Sequence, residues 1–417
     1  MSRLSYRKVI LVDPALLRLI ERVNERWLAA GYREAPFADI CAEALVALEP
    51  FRTLDVRRVL AGLVEASPSL FRTARHTADE VIPLYGGPRF VVALHVWTDS
   101  IGRPHSHAWN GAYQILSGTS IQGDYTFEEA RAIDPKLRIG ALRARQVRAL
   151  TPGDTVRVFR GDKTIHALSY VDRPGVSISI RGLETFGTLT YDYWGSGLCV
   201  ETDLQDEYAD IKIKAIEALW NIDGEGCFDA VKRGLLAADP RTGFTVLRRT
   251  MGHFRGTSRV NELVECLAEK MGIEVSFLSD ALGDIERDGV LRRRREQVRK
   301  LDHRFLLSAL HLATNREMVH DLLREQYPGS NPATVLRECI AEMAEQTVDG
   351  ADSLLGMPLD AGVGTILCLL LDDGNLATLL ARLEARNEFE DIQANKELLL
   401  SSARAIKEFS ILRPLFA

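Results

Sequence analysis

Cysteine is scarce in this sequence, and its few occurrences lie far apart. No CxxC pair occurs among the six cysteines, which are Cys41, Cys199, Cys227, Cys266, Cys339 and Cys368. Disulfide frameworks and zinc knuckles both require cysteines at close or regular spacing. The scatter therefore argues against both classes and predicts free, buried thiols in a reducing compartment.

Long hydrophobic runs are also missing. A membrane-spanning helix needs about 20 consecutive apolar residues, whereas the apolar stretch Thr365–Leu371 stops at two aspartates. The segment Met1–Val12 has too short an apolar run for the hydrophobic part of a signal peptide, and it has no small-residue cleavage pattern. We therefore expect a cytoplasmic protein that does not contact membranes.

Neither sign of charge dominates. The chain has 52 Lys and Arg against 58 Asp and Glu, a net charge of −6, so no global attraction to nucleic acid is expected. The single strong basic cluster, Leu291–Lys300, contains Arg292–Arg295 but no interleaved aromatic residues on which bases could stack. A solvated helix face or an inter-domain salt-bridge surface is therefore favoured over a site for RNA, nucleotide or an acidic partner.

The chain divides into three segments that differ in their pattern of apolar residues. Residues 1–78 and 203–417 repeat apolar residues at helix spacing, whereas residues 79–202 have short β-branched and aromatic runs between glycines and prolines. The expected fold class is α+β: a central antiparallel β-barrel, an N-terminal helical segment and a large C-terminal α-helical domain of helix pairs. Within the barrel segment, Glu128–Leu137 is expected to be helical or a loop.

The stretch Arg103–Gly118 contains two histidines, His105 and His107, that stand two residues apart. On an extended strand such residues point to the same face, so both imidazoles can reach one metal ion. His166 lies on a later strand and is the third candidate ligand. Three neutral imidazoles would leave open positions for a substrate or dioxygen, and nitrogen ligands suit Fe, Cu, Ni or Zn.

The strand Val176–Arg181 alternates strictly between apolar and polar residues. Its polar face, with Ser177, Ser179 and Arg181, either points to solvent or lines the barrel, and the pattern leaves both interpretations open. If this face lines the barrel, Arg181 is suited to bind a substrate carboxylate or phosphate through two parallel hydrogen bonds, with the serines as further substrate contacts.

Four further side chains are candidates for the pocket. Tyr113 and Tyr193 could each donate a proton from the phenol, although tyrosines at such positions are more often core or rim residues. His95 could line the pocket or hydrogen-bond a metal ligand, and a purely structural histidine is the competing interpretation. Trp109 follows the histidine pair and is expected to form a wall of the pocket.

The segments Val91–Gly118 and Thr151–Gly182 together resemble the cupin superfamily. In the first cupin motif an HxH pair precedes a glycine at a fixed distance, and here Gly118 follows the second histidine by eleven residues. The second motif is a Pro-Gly turn followed by a histidine, and here a turn beginning at Pro152 precedes His166. Within that superfamily, the layout is most similar to the cysteine dioxygenase type.

This resemblance implies a jelly-roll barrel that binds Fe(II) through three histidines. Gly111 occupies the position where most cupins carry a glutamate ligand, an absence shared with thiol dioxygenases. The later strand departs from those enzymes, because Ser177, Ser179 and Arg181 stand where they carry Ser-x-His-x-Tyr. No cysteine lies near Gly111, so the thioether cross-link of some members cannot form there.

Different classes of function fit these features. The first is a non-haem oxygenase in which Fe(II), bound by His105, His107 and His166, acts with O2 on a small polar, anionic substrate of amino-acid or thiol type; Ni, Zn, Cu and Mn suit the same ligands. The second is a non-catalytic, ligand-sensing barrel that regulates or scaffolds a protein partner through the helical domain. A third keeps the ligands but performs isomerase or lyase chemistry without dioxygen.

Overall fold

The computed structural model describes residues 13–65, 80–183, 189–202, 207–254, 258–348, 352–355, 361–373, 376–386, 392, 394–408 and 411–416. Helices come first along the chain: α1 (Pro14–Ala29), α2 (Phe37–Leu48), α3 (Pro50–Thr53) and α4 (Val56–Glu65). Helix α1 begins where the sequence predicts, because the Asp13 side chain accepts a hydrogen bond of 2.7 Å from the backbone N–H of Ala15 and Pro14 fills the first helical position.

The strands that follow build two sheets. They are β1 (Glu80–Gly86), β2 (Phe90–Trp97), β3 (His105–His107), β4 (Gly111–Ser117), β5 (Ser120–Asp134), β6 (Leu137–Leu150), β7 (Thr155–Val158), β8 (Gly161–Tyr170), β9 (Gly175–Gly182), β10 (Tyr191–Tyr193) and β11 (Leu198–Glu201). One sheet has the order β1-β2-β9-β4-β7, and the other closes into a barrel in the order β10-β11-β6-β5-β8-β3. All these pairings are antiparallel, which confirms the α+β class with a central antiparallel barrel.

The N-terminal helices cover the outer face of the five-stranded sheet. Leu16 and Val23 of α1 and Phe37 of α2 share one buried cluster with Val92 of β2 and Ile178 of β9. The apolar face of β9 is therefore used for packing against helices. Because side chains alternate along a strand, its polar face points into the space between the two sheets, which decides between the two interpretations left open by the sequence.

The remaining helices follow the barrel: α5 (Glu207–Asp223), α6 (Phe228–Ala237), α7 (Pro240–Thr250), α8 (Ser258–Met271), α9 (Val275–Gln297), α10 (Leu301–Leu312), α11 (Arg316–Gln326), α12 (Pro332–Glu345), α13 (Ala361–Asp373), α14 (Leu376–Arg386) and α15 (Lys396–Glu408). Two strands of two residues each, β12 (Thr347–Val348) and β13 (Asp352–Ser353), form an antiparallel pair between α12 and α13 in the chain. Short 3-10 turns cover Gly224–Cys227, Met251–Phe254 and Arg413–Leu415.

Helix α10 packs directly on the barrel wall formed by β5 and β8. Phe305 and Leu306 share a buried cluster with Tyr125 and Ile165 of those strands. The Tyr125 hydroxyl donates a hydrogen bond of 2.9 Å to the carbonyl of Leu312 at the end of α10. The barrel and the C-terminal helices therefore have a common hydrophobic core.

A buried arginine of α10, Arg304, holds the loop that leads from β2 towards β3. Its guanidinium donates to the carbonyl of Thr98 at 2.9 Å and to the carboxylate of Asp99 at 3.1 Å, and it also donates to the carbonyl of Val171 at 2.6 Å. Arg295, in the basic run of α9, is fully buried and donates to the carbonyl of Asp99 at 3.2 Å. At Arg295 the basic run thus joins the helical segment to the barrel.

A second buried polar group joins α9 and α10 to the same loop. His311 of α10 has Nε2 3.4 Å from the carbonyl oxygen of Gly102 and Nδ1 3.4 Å from the carboxylate of Asp288 on α9. Burial raises the pKa of Asp288 to about 6 and is opposed by the positive charges of Arg103 and Arg287. Burial also lowers the pKa of His311, to about 3.

One expectation from the sequence is wrong. Glu128–Leu137 is neither helical nor a long loop, because β5 continues to Asp134 and β6 begins at Leu137, so only two residues turn the hairpin. Helix α9 is continuous through Gly289. The domain boundaries near residues 79 and 203 stay predictions, since residues 66–79 and 203–206 lie outside the described residues.

Among the described residues, no helix is both long enough and apolar enough to span a membrane.

Candidate metal centre

The three histidines come together because a short strand pairs with a long one. Strand β3 consists of His105, Ser106 and His107, and His105 lies opposite His166 in its pairing with β8. Directly paired residues of antiparallel strands project to the same face, so both imidazoles point inward. His107 is two residues further along β3 and joins them there.

The spacing of the imidazole nitrogens fits a metal ion. The Nε2 atoms of His107 and His166 lie 2.8 Å apart, and one ring nitrogen from each of the three histidines falls within 4.8 Å of the others. Two imidazole ligands at right angles, each about 2.1 Å from a metal, would place their nitrogens about 3 Å apart. The three rings therefore suit one face of a single divalent transition metal.

The surroundings of the three imidazole rings differ. The Nδ1 of His105 lies 2.8 Å from the carbonyl oxygen of Arg103, which turns Nε2 of that ring towards the other histidines. The Nδ1 of His166 is buried and has no hydrogen-bond partner within the described part of the chain. The indole of Trp109 lies 4.5 Å from the His107 ring between centroids and forms a wall beside it.

The electrostatics favour neutral imidazoles. Burial lowers the pKa of His105, and it lowers the pKa of both His107 and His166 well below the usual range. For His107 the positive charges of the other two histidines, of Arg181 and of His95 lower the pKa further. Neutral imidazole is the form that binds a metal, so the site is prepared for metal at neutral pH.

The backbone at Gly111 explains why no fourth ligand comes from this position. A Cβ built on Gly111 would overlap the carbonyl oxygen of Ile180 on the neighbouring strand β9. No side chain, and therefore no glutamate, fits at position 111 without displacing the strand. Among the described residues, the cluster of possible metal-binding groups contains the three histidines alone.

The polar face of β9 lies beside the histidines. His95 Nε2 and Ser179 Oγ share a hydrogen bond of 2.8 Å, and the indole N–H of Trp97 donates to Ser177 Oγ at 3.2 Å. Arg181 is close enough to His107 to lower the pKa of that histidine. Both serines thus already have protein partners, and Arg181 is the charged group of this face that lies near the three histidines.

Tyr113 lies on the inner wall. Its ring is 5.8 Å from the His166 ring between centroids, and its buried hydroxyl donates a hydrogen bond to Oε1 of Gln122. The amide nitrogen of Gln122 in turn donates to the carboxylate of Asp124 at 2.6 Å. Burial raises the pKa of Tyr113 well above its usual value, so this residue is a phenol and not a phenolate.

Tyr193 does not lie beside the histidines, in contrast to the catalytic phenol expected at this position. Asp192 is the residue of β10 that lies opposite His105, so its neighbour Tyr193 projects to the other face of the sheet. There the Tyr193 hydroxyl donates to Asp162 at 2.5 Å, near the guanidinium of Arg138. The sequence placed the tyrosine near the site but did not show the register of β10.

Sequence reasoning missed Gln122 and Asp124. Both occur on the long strand β5, next to β8, where Gln122 lies opposite Leu168 and Asp124 lies opposite His166. A buried glutamine alternating with an aspartate is a signal of a polar inner wall, but only the pairing of β5 with β8 shows that this wall belongs to the histidine site.

No family model and no curated protein matches this chain. Parts of the chain are similar to solved structures. The DMSP lyase DddQ from Ruegeria pomeroyi is 19% identical, with 43% of this chain and 95% of that chain covered and a TM-score of 0.23. Hydroquinone 1,2-dioxygenase from Sphingomonas with 4-hydroxybenzoate bound is 8% identical, with 29% and 83% covered and a TM-score of 0.22.

A sugar phosphate isomerase of the cupin superfamily from Silicibacter pomeroyi is 15% identical, with 28% of this chain and 71% of that chain covered and a TM-score of 0.19. At TM-scores this low, the likeness supports no conclusion about family, substrate or reaction. The evidence for the fold is therefore the strand pairing of this chain, and the evidence for the site is the geometry of its histidines.

Proposed function

We propose that this chain is a metal-dependent enzyme of cupin type that binds Fe(II) through His105, His107 and His166 and oxidises a small, anionic substrate with O2. The observation that carries the proposal is the convergence of three imidazole nitrogens within 4.8 Å in the space between the two sheets. A three-nitrogen ligand set leaves open positions on the metal, where substrate and dioxygen could be activated together.

The side chains around the histidines have separate tasks in this proposal. Arg181 binds the anionic group of the substrate, because it lies near His107 and a guanidinium pairs with carboxylate or phosphate through two parallel hydrogen bonds. Trp109 limits the pocket on the side of His107. The hydrogen bond between His95 and Ser179 stabilises the polar strand that carries Arg181.

Oxygen consumption tests the reaction class directly. The Fe(II)-loaded chain is mixed with small amino acids, thiols and hydroxy acids in an oxygen electrode, and products are followed in parallel. Stoichiometric O2 uptake with one of these acids is the expected result. Turnover without O2 uptake would assign isomerase or lyase chemistry to the same ligands, and binding without turnover would favour the ligand-sensing alternative.

Replacing Arg181 tests the anion site within the same assay. Arg181→Met removes a charge-assisted hydrogen bond worth about 1.5–3 kcal/mol, so KM should rise about 10- to 100-fold. Arg89→Met is the matched control, because Arg89 is exposed just before β2 and its guanidinium lies 3.7 Å from the Tyr32 ring centroid. Equal KM values for the Arg181 variant and wild type would show that Arg181 does not bind an anionic group of the substrate.

A further inference from the structure

Asp124, Gln122 and Tyr113 form a line of hydrogen bonds whose directions are determined by chemistry. A carboxylate can only accept hydrogen bonds, so the Gln122 atom that lies 2.6 Å from Asp124 is its amide nitrogen. The guanidinium Nε of Arg148 lies 4.0 Å from the other oxygen of Asp124 and supports its negative charge. Asp124 therefore determines which way the Gln122 amide points.

The orientation of Gln122 then decides the role of Tyr113. Gln122 is fully buried, and with its nitrogen directed at Asp124 its carbonyl oxygen Oε1 faces the Tyr113 hydroxyl. An amide oxygen can only accept, so the phenol must donate its single proton to Gln122. Reversing the amide would place a carbonyl oxygen against a carboxylate and would leave both without a donor.

A tyrosine hydroxyl that already donates its single proton can only accept further hydrogen bonds. Tyr113 is buried beside the histidines, with its ring 5.8 Å from that of His166 between centroids. On β4 and β9, Tyr113 lies opposite Ser179 and Gly111 lies opposite Arg181, a separation of two residues or about 7 Å along the strand. The pocket thus offers an acceptor and a cation at a spacing suited to one small molecule.

We propose that Asp124 and Gln122 are positioning residues that make Tyr113 a hydrogen-bond acceptor, so that the pocket selects substrates carrying a hydroxyl or amine donor as well as an anionic group. This inference rests on the proposed function, because it assumes that the substrate occupies the histidine pocket. It assigns a substrate class, that of hydroxy acids and amino acids, and excludes keto acids that can only accept at the same position.

Two acids with the same carbon skeleton test the selectivity. Binding of 4-hydroxypentanoate and 4-oxopentanoate to the full chain, loaded with Zn²⁺ so that no oxidation occurs, is measured by titration calorimetry. Wild type should bind the hydroxy acid at least about tenfold more tightly, because the oxo acid leaves the Tyr113 oxygen facing another acceptor. An equal affinity for the two acids, or no binding of either, would overturn the inference.

Asp124→Asn is the decisive variant. An asparagine amide can donate to Gln122 Oε1, which allows the Gln122 amide to reverse and releases the Tyr113 proton towards the pocket. The variant should then bind the hydroxy acid and the oxo acid with about equal affinity. Asp162→Asn is the matched control, because Asp162 accepts from Tyr193 on the opposite face of the sheet, and its selectivity should equal that of wild type.

Infrared spectroscopy gives a readout that needs neither ligand nor turnover. The C–O stretch of Tyr113, obtained as a difference spectrum against Tyr113→Phe, reports whether the phenol donates or accepts. A donor signature in wild type that is lost in Asp124→Asn and in Gln122→Met is expected. An acceptor signature in wild type would contradict the inference, even for a chain that binds metal and consumes O2.

Discussion

At the residue scale, the chemistry of the site follows from burial. Burial lowers the pKa of all three imidazoles because their charged forms are poorly solvated, and the charge of Arg181 strengthens that effect at His107. Close packing explains the glycine at position 111. Strand β9 leaves no space for a side chain there, so no glutamate can join the three histidines from this position.

Replacing Gly111 tests this packing. Gly111→Ala should destabilise the fold by about 1–3 kcal/mol, because the new methyl group must displace the backbone of Ile180. Gly234→Ala is the control, since no atom lies near a Cβ at this helical position, and it should stabilise by up to about 1 kcal/mol. Urea unfolding of both variants measures the difference. A Gly111→Ala chain as stable as wild type would show that the strands can separate.

Replacing Asp288 tests the buried acid next to the loop that precedes β3. A folded-state pKa of about 6, above the usual value, means that this group stabilises the fold at low pH and that this contribution is lost as the pH rises through about 6. Asp288→Asn should therefore gain stability relative to wild type by about 2–3 kcal/mol between pH 4 and pH 7.

The contribution of His311 has the opposite sign, because its pKa is lowered and its stabilisation is lost as the pH falls below about 6.5. Because Nδ1 of His311 lies 3.4 Å from the Asp288 carboxylate, the difference between wild type and variant reports on this pair, and its growth with rising pH is the part that comes from Asp288. Asp280→Asn, on the exposed side of the same helix, is the control for the substitution itself. A difference between Asp288→Asn and wild type that does not change with pH would contradict the raised pKa.

At the element scale, helix α10 determines where the loop before β3 lies. Its arginine and histidine, Arg304 and His311, contact Thr98, Asp99 and Gly102, which lead directly to His105. The helix also shares a core with β5 and β8, the strands that carry Gln122, Asp124 and His166. The C-terminal helices are thus part of the support of the pocket.

Removing the Arg304 side chain tests this connection. Arg304→Ala removes a fully buried guanidinium that pairs with Asp99, although Asp99 keeps its ion pair with Arg173, and it leaves three carbonyls without this donor. The loss should cost about 3–5 kcal/mol in the free energy of unfolding. Arg292→Ala removes an exposed i,i+4 pair with Glu296 and should cost at most about 0.5 kcal/mol. Equal effects of the two changes on urea unfolding would mean that the helix does not depend on this contact.

The sequence predicts elements better than it predicts their contacts. Alternation along β9 identifies its polar residues, but only packing of α1 and α2 on the opposite face shows that Arg181 points inward. The hairpin of β5 and β6 was missed because charged residues such as Glu128 and Glu129 lower β-propensity where the strands extend beyond the buried part. Tyr193 was misplaced because the register of a three-residue strand depends on its neighbours.

At the scale of the whole molecule, the helices and the barrel form one structure around the histidine site. The N-terminal helices cover one sheet, and the C-terminal helices cover the barrel wall that carries His166. The spacing of His105 and His107 in the sequence identifies two candidate metal-binding residues, and a later strand supplies the third. Their convergence on a single point becomes clear only from the pairing of β3 with β8.

Metal content of the intact chain tests the central claim most directly. We expect one transition-metal ion per chain in the purified protein or after anaerobic loading with Fe(II), and at least a 100-fold loss of affinity in each of His105→Ala, His107→Ala and His166→Ala. His320→Ala, on α11, is the control and should keep the metal. Absence of stoichiometric metal from wild type, or full retention in all three histidine variants, would contradict the account.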